Sequence, residues 1–111
     1  MSILDGIIEK KRERLRLAKS KVPLSELRTI IRDIEGTRDF KKAIKRDDSI
    51  RLIAEIKKAS PSRGIIRTDF DLEKIASIYE EKAVDAVSVI TEEDFFLGNR
   101  DYIRIVKERV S

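Results

Sequence analysis

Between Leu52 and Gly64 the chain reads Leu-Ile-Ala-Glu-Ile-Lys-Lys-Ala-Ser-Pro-Ser-Arg-Gly, a short aliphatic run that carries opposite charges at alternate positions. Side chains alternate across a strand, so Leu52, Ala54 and Ile56 point one way and Ile53, Glu55 and Lys57 the other. Pro61 and Gly64 stop the strand and open a loop, which leaves Glu55 and Lys57 near its C-terminal end. A second run, Ala86-Val87-Ser88-Val89-Ile90, is nearly continuous in apolar residues, as expected of a strand buried on both faces of a parallel sheet. Between the two, Leu72, Ile75, Ala76, Ile78 and Tyr79 recur at helical spacing behind Asp71, a good N-cap. Strand, helix, strand is a βαβ unit, for which a right-handed crossover is expected. Parallel α/β folds bind ligands at the C-terminal ends of their strands, where Glu55 and Lys57 fall.

The residues before this unit read as helical. Ser2 can cap a helix in which Ile3, Leu4, Ile7 and Ile8 lie at helical spacing, continuing toward Lys11 and Leu15. Val22-Pro23 breaks it, and Leu24, Leu27, Ile30, Ile31 and Ile34 give a second amphipathic helix that Gly36 ends. Thr37 can start a short third helix through Phe40, Ala43 and Ile44, before Asp47-Asp48 interrupts the pattern. After the strand at 50–56 comes a loop of about a dozen residues, long for a simple strand-to-helix connection. Beyond the second strand, Asn99 caps a last helix containing Tyr102, Ile103, Ile105 and Val106.

Composition removes several kinds of chemistry. The 111 residues include no Cys and no His, so thiol nucleophiles, disulfides, imidazole bases and zinc clusters are excluded and acid–base work falls to carboxylates and lysines. The net charge of +4 is a small excess of 25 basic over 21 acidic residues. Its densest stretch, Lys10 to Arg16, shares a helix with aliphatic positions and reads as a solvated face, so no nucleic-acid partner is expected. With no leader and no membrane segment in view, the expected location is cytoplasmic, without a membrane partner. No dinucleotide fingerprint, Walker or metal motif is present.

Glu55-Ile56-Lys57-Lys58-Ala59-Ser60-Pro61-Ser62, preceded by two aliphatics and an alanine, resembles the signature of the indole-3-glycerol phosphate synthase family. Asp69-Phe70-Asp71, Ser88-Val89-Ile90-Thr91-Glu92 and Phe95-Phe96-Leu97-Gly98 follow in that family's order. Ile3-Leu4-Asp5-Gly6-Ile7-Ile8 with Lys10-Lys11-Arg12 resembles its N-terminal helix. The resemblance implies the N-terminal portion of a TIM (βα)8 barrel: a helical extension over 1–46, then the first two βα units over 47–111. A complete barrel needs about 250 residues, so the chain is expected to correspond to part of one.

The resemblance also implies a lyase of tryptophan biosynthesis that needs no metal or organic cofactor. The complete enzyme closes the ring of a phosphorylated small-molecule substrate, 1-(2-carboxyphenylamino)-1-deoxyribulose 5-phosphate, with loss of carbon dioxide and water. By residue match, Glu55 is catalytic and Lys57 contacts and helps activate the substrate. Ser60 is a substrate contact, and Phe96 lines the pocket for the anthranilate ring. Ile90 joins that pocket from its strand, although alternation in sequence does not separate the 88/90 face from the 87/89 face. The family's general-acid lysine on the third strand, its second glutamate on the fifth and its phosphate loops after the seventh and eighth have no counterpart within the 111 residues. The chain is therefore expected to be inactive alone.

Each of these residues also has an ordinary role open to it. Glu55 and Lys57 could be a structural pair, Ser60 a turn residue, and Phe95 or Phe96 a plug for the core. For Glu55 and Lys57 the functional role is favoured, because a strand covered on both faces gains little from a buried ion pair. An alternative function is a half-barrel subunit that works only with a partner. An open parallel edge fits either self-association or a complementary C-terminal chain.

Overall fold

A computed structural model describes residues 2–45 and 47–111. Contacts divide the chain into two compact units that meet between Arg38 and Asp39. The first holds two helices. Helix α1 (Ile3–Lys21) starts with a capping box: Ser2 Oγ accepts the Asp5 N–H at 3.1 Å, and the Asp5 carboxylate accepts the Ser2 N–H at 2.9 Å. The Ser2 N–H and the Ser2 hydroxyl, which donates to the same carboxylate at 2.8 Å, stabilise the charged form of Asp5 and lower its pKa. Val22 ends α1, and Pro23 stands at the N-cap of α2 (Leu24–Arg32) rather than inside its first turn. The expected extension to Ile34 does not occur. The chain tightens instead, with Asp33 N–H donating to Ile30 and Ile34 N–H to Ile31, the three-residue spacing common where helices end.

The second unit opens with α3 (Phe40–Ile44), capped by Asp39, whose carboxylate accepts the Lys42 N–H at 2.9 Å. Asp39 rather than Thr37 sits one residue before the helix, where its oxygen reaches the third helical N–H. Strand β1 (Ile53–Ile56) pairs in parallel with β4 (Ala86–Val89), in the register Ile53↔Ala86, Ala54↔Val87, Glu55↔Ser88 and Ile56↔Val89. Helix α4 (Leu72–Glu81), capped by Asp71, makes the crossover between them. Helix α5 (Asp101–Arg109) follows; Arg100 rather than the expected Asn99 stands at its N-cap, while Asn99 Oδ1 accepts the Asp101 N–H at 2.9 Å from one position further out.

The connection after β1 is not a plain loop. Strands β2 (Ala59–Ser60) and β3 (Gly64–Ile65) fold it into a small antiparallel hairpin. Gly64 turns it at φ 63°, a conformation that strongly favours glycine.

At the N-terminal end of the sheet, Arg51 Nη1 donates to Asp85 Oδ1 at 2.8 Å, and the Leu52 N–H donates to Asp85 Oδ2 at 2.8 Å. The Leu52 carbonyl in turn accepts the N–H groups of Asp85 and Ala86.

The core is small. Ile56, Leu72, Ala76 and Val106 form its buried centre, and Val87, Val89, Ile75, Tyr79, Tyr102 and Ile105 pack around them. The Phe70 and Tyr102 rings close one side, 6.0 Å apart between centroids. Only one face of the sheet is covered this way. The expectation that β4 is buried on both faces is therefore not met: all four of its residues are only partly buried. On β1, Ile53 is 51% exposed whereas Ile56 is 2% exposed, so the alternation along the strand corresponds to a covered and an open face.

Helix α4 ends in a Schellman motif: Val84 N–H donates to Tyr79 and Ala83 N–H to Glu80, which forces Ala83 to φ 54°. A Cβ is strained there, so Ala83→Gly is expected to stabilise the protein by about 0.5–1 kcal/mol. Thermal melting checks this. A midpoint unchanged or lowered would mean the αL geometry costs nothing.

Candidate functional site

Parallel pairing carries Glu55 and Ser88 to the same level and the same face of the sheet. Ser88 Oγ–H donates to Glu55 Oε2 at 3.1 Å, while Lys57 Nζ approaches Glu55 Oε1 at 3.0 Å. The backbone under Glu55 is held separately, since Tyr79 O–H donates to the Glu55 carbonyl at 2.9 Å. The Lys57 ammonium also lies 5.8 Å from the centroid of the Phe96 ring, within cation–π range. Three of the residues singled out in the sequence, Glu55, Lys57 and Phe96, therefore converge at the C-terminal end of β1.

The hydrogen bond from Lys57 holds the Glu55 carboxyl below its ordinary value of 4.5; burial opposes this, and the Ser88 hydroxyl and the Lys57 charge add smaller downward effects. Glu55 is thus ionised near neutrality and suited to accept a proton or to face developing positive charge, and unsuited to act as an acid. The desolvation argument for a functional pair does not apply here. Lys57 and Glu55 side chains are 35% and 43% exposed, because the face they share is open. An ion pair so exposed contributes little to stability, about 0–1 kcal/mol. What distinguishes it is location and company: a strand end, a hydroxyl and an aromatic face.

Ile90 continues the ladder past β4, its N–H donating to the Ile56 carbonyl at 3.2 Å. The ambiguity between the two faces resolves, since Ser88 meets Glu55 whereas Val87 and Val89 pack into the core; by alternation Ile90 belongs to the Glu55 side. Ser60 lies in the hairpin, where its Oγ accepts the Arg63 N–H at 3.2 Å and stands 3.4 Å from Ser62 Oγ. Its hydroxyl has the turn-forming role open to it from sequence, and the structure does not bring it to the carboxylate.

The loop after β4 is built tightly. The Glu92 carboxylate accepts the N–H groups of Asp94, Phe95 and Phe96 at 2.8, 2.8 and 3.0 Å. The Gly98 N–H returns to the Glu92 carbonyl at 2.7 Å. A Cβ on Gly98 would stand 2.4 Å from the Ile90 carbonyl oxygen, so only glycine fits. A cleft of about 300 Å³ is lined by Glu55 and Lys57 together with Arg67, Phe70 and Tyr79. Phe96 does not line it.

Sequence reasoning passed over Ser88 and Tyr79 as members of the site. Ser88 left a usable signal, a hydroxyl two residues before Ile90 in an otherwise aliphatic run. Tyr79 left none, because its ring sits at an ordinary core position of α4 and only the fold shows where its hydroxyl ends.

Fold and site together define a βαβα protein with a carboxylate–lysine–aromatic cluster at the C-terminal ends of parallel strands. A family model for indole-3-glycerol phosphate synthase matches residues 4–111, and the chain belongs to that family. It is 48% identical over 106 residues to indole-3-glycerol phosphate synthase of Alkaliphilus metalliredigens, covering 96% of this chain and 41% of the relative. Over 110 residues it is 44% identical to that of Rhodopirellula baltica, covering 99% and 42%. For the Clostridium acetobutylicum protein of the same name the identity is 45% over 107 residues, covering 96% and 40%. The chain thus spans about two fifths of the length of these curated relatives. No helix among the described residues is long and apolar enough to cross a membrane.

The pairing predicts a titration. A carboxyl with a lowered folded pKa contributes stability that is present above its unfolded value and lost as pH falls through the folded one. A carbon-detected NMR titration of Glu55 should show a midpoint below 4.5, and Lys57→Met should move it upward. A midpoint at or above 4.5 in the parent protein would mean that the Lys57 contact does not persist in solution.

Proposed function

We propose that this chain supplies the N-terminal helical extension, residues 1–46, and the first two βα units, residues 47–111, of an indole-3-glycerol phosphate synthase barrel. The reaction is closure of 1-(2-carboxyphenylamino)-1-deoxyribulose 5-phosphate to the indole, with release of carbon dioxide and water. The observation that carries this reading is the Glu55–Lys57 pair at 3.0 Å beside the Phe96 ring, at a parallel strand's C-terminal end.

Each group has a role that its chemistry allows. Lys57, a mobile cation on a four-carbon stem, binds an anionic or carbonyl oxygen of the substrate and draws electron density from it. Glu55, kept ionised, serves the later proton transfer. Phe96 gives the flat aryl ring an apolar wall, with Ile90 beside it on the same face. Ser60 contributes a substrate contact from the hairpin. A general acid for the carbonyl and a cradle for the phosphate come from outside residues 1–111.

Two measurements test the reading. The 111-residue polypeptide alone should form no indole-3-glycerol phosphate by a fluorescence assay. In a complete synthase carrying this segment, Glu55→Gln should lower turnover by about 10²–10⁴-fold with the melting temperature retained, the usual loss on removing one acid–base group. Near-parental turnover of that variant would make Glu55 structural.

A second reading, a half-barrel subunit completed by a second chain, is favoured by the open sheet face. Ile53 is 51% exposed, and each strand of the two-stranded parallel sheet leaves one edge without a strand neighbour among the described residues. Self-association of the isolated polypeptide is the expected outcome. Sedimentation with amide exchange checks it; a compact monomer with strongly protected amides in β1 and β4 would show the segment to be self-sufficient.

A further inference from the structure

Glu92 is one of three consecutive acidic residues after the second parallel strand, yet its carboxylate faces the backbone. Its Oε1 accepts the Asp94 N–H, and its Oε2 accepts those of Phe95 and Phe96. With Gly98 N–H on its own carbonyl, four backbone donors of one loop converge on a single residue. The loop they shape is strained at one position and tightly packed at the next. Leu97 takes φ 53°, and Gly98 passes so close to Ile90 and Thr91 that no side chain fits. Phe96 lies between Glu92 and these two positions, and its ring stands beside the Lys57 ammonium.

Resting on the functional reading above, we infer that Glu92 is a positioning residue. It fixes the 94–96 backbone so that Phe96 presents its ring at the distance from Lys57 that an aryl substrate requires. Glu92 itself touches no substrate. A carboxylate that binds three successive N–H groups cannot be replaced by a shorter acid without losing reach, nor by an amide without losing an acceptor. Charge, length and both oxygens are all used. The second βα loop thereby controls affinity for the ring more than the chemical step.

The test is a double-mutant cycle in a complete synthase carrying this segment. Glu92→Ala is expected to raise KM for the substrate about tenfold with kcat changed less than about threefold, the signature of lost binding rather than lost chemistry. Glu92→Gln keeps one acceptor oxygen and should fall between the two; it also covers the case in which the alanine variant does not fold. In a Phe96→Ala background, Glu92→Ala should raise KM no further, because the ring it positions is gone. Amide exchange at 94–96 should accelerate in Glu92→Ala while β1 and β4 stay protected. Full additivity with Phe96→Ala, or unchanged exchange at 94–96, would overturn the assignment. Should the parent protein make no product, the functional reading falls, and exchange at 94–96 in the two Glu92 variants still decides whether Glu92 holds the loop.

Discussion

The Arg51–Asp85 clamp is the contact on which the site's geometry depends. Two parallel strands of four residues have little of their own to fix their alignment. Asp85 supplies what they lack, binding the Arg51 side chain and the Leu52 backbone one residue before β1 begins. A slip of one residue would turn every side chain to the opposite face. Register decides that Glu55 faces Ser88, and it brings Ile90 level with the end of β1. The Arg51 and Asp85 side chains are 12% and 19% exposed, so this pair is largely withdrawn from water, unlike Glu55–Lys57. Removing one partner of a pair so withdrawn from water costs more than at an exposed pair, since a partly desolvated charge is left behind. The ends of the sheet thus divide the work: the N-terminal end holds the alignment and the C-terminal end carries the Glu55–Lys57 pair.

That division explains how an exposed, weakly stabilising pair keeps its geometry. Glu55 and Lys57 gain little from each other in water. Their positions come from the backbone beneath them, fixed by the β1–β4 ladder, by Tyr79 O–H on the Glu55 carbonyl and by burial of Ile56 against Leu72, Ala76 and Val106. The covered face of β1 holds the open face in place. A substitution at Ile56 or Ala76 therefore reaches the site through the backbone, although neither side chain belongs to it.

Much of this was legible in the sequence, for identifiable reasons. Alternation across Leu52–Lys57 and the helical spacing of Leu72–Tyr79 gave the βαβ order, because those patterns reflect which side of each element is covered. The caps at Ser2 and Asp71 were readable because capping is local. The hairpin of β2 and β3 was not, since strands of two residues have no period to detect. Arg51 and Asp85 were also missed: they lie 34 residues apart, and a contact that depends on register becomes visible only once the strands are paired. The expectation of a fully buried β4 failed for a related reason. Apolar content shows what a strand can bury, while actual burial needs a second layer, and the described residues place one on only one face.

Within the site, the two glutamates differ in what they hold. Glu92 is bonded to backbone N–H groups, which move only if the loop does. Glu55 is bonded to a lysine ammonium and a serine hydroxyl, both at the ends of rotatable side chains. An incoming ligand can draw Lys57 away, or turn the Ser88 hydroxyl, without disturbing β1 or β4. Losing the Lys57 contact removes the largest influence holding the Glu55 carboxyl below its ordinary value, so the same movement makes Glu55 more basic. The position of the Lys57 ammonium and the basicity of Glu55 are thereby coupled through one 3.0 Å contact, while the backbone N–H groups of 94–96 stay tied to Glu92.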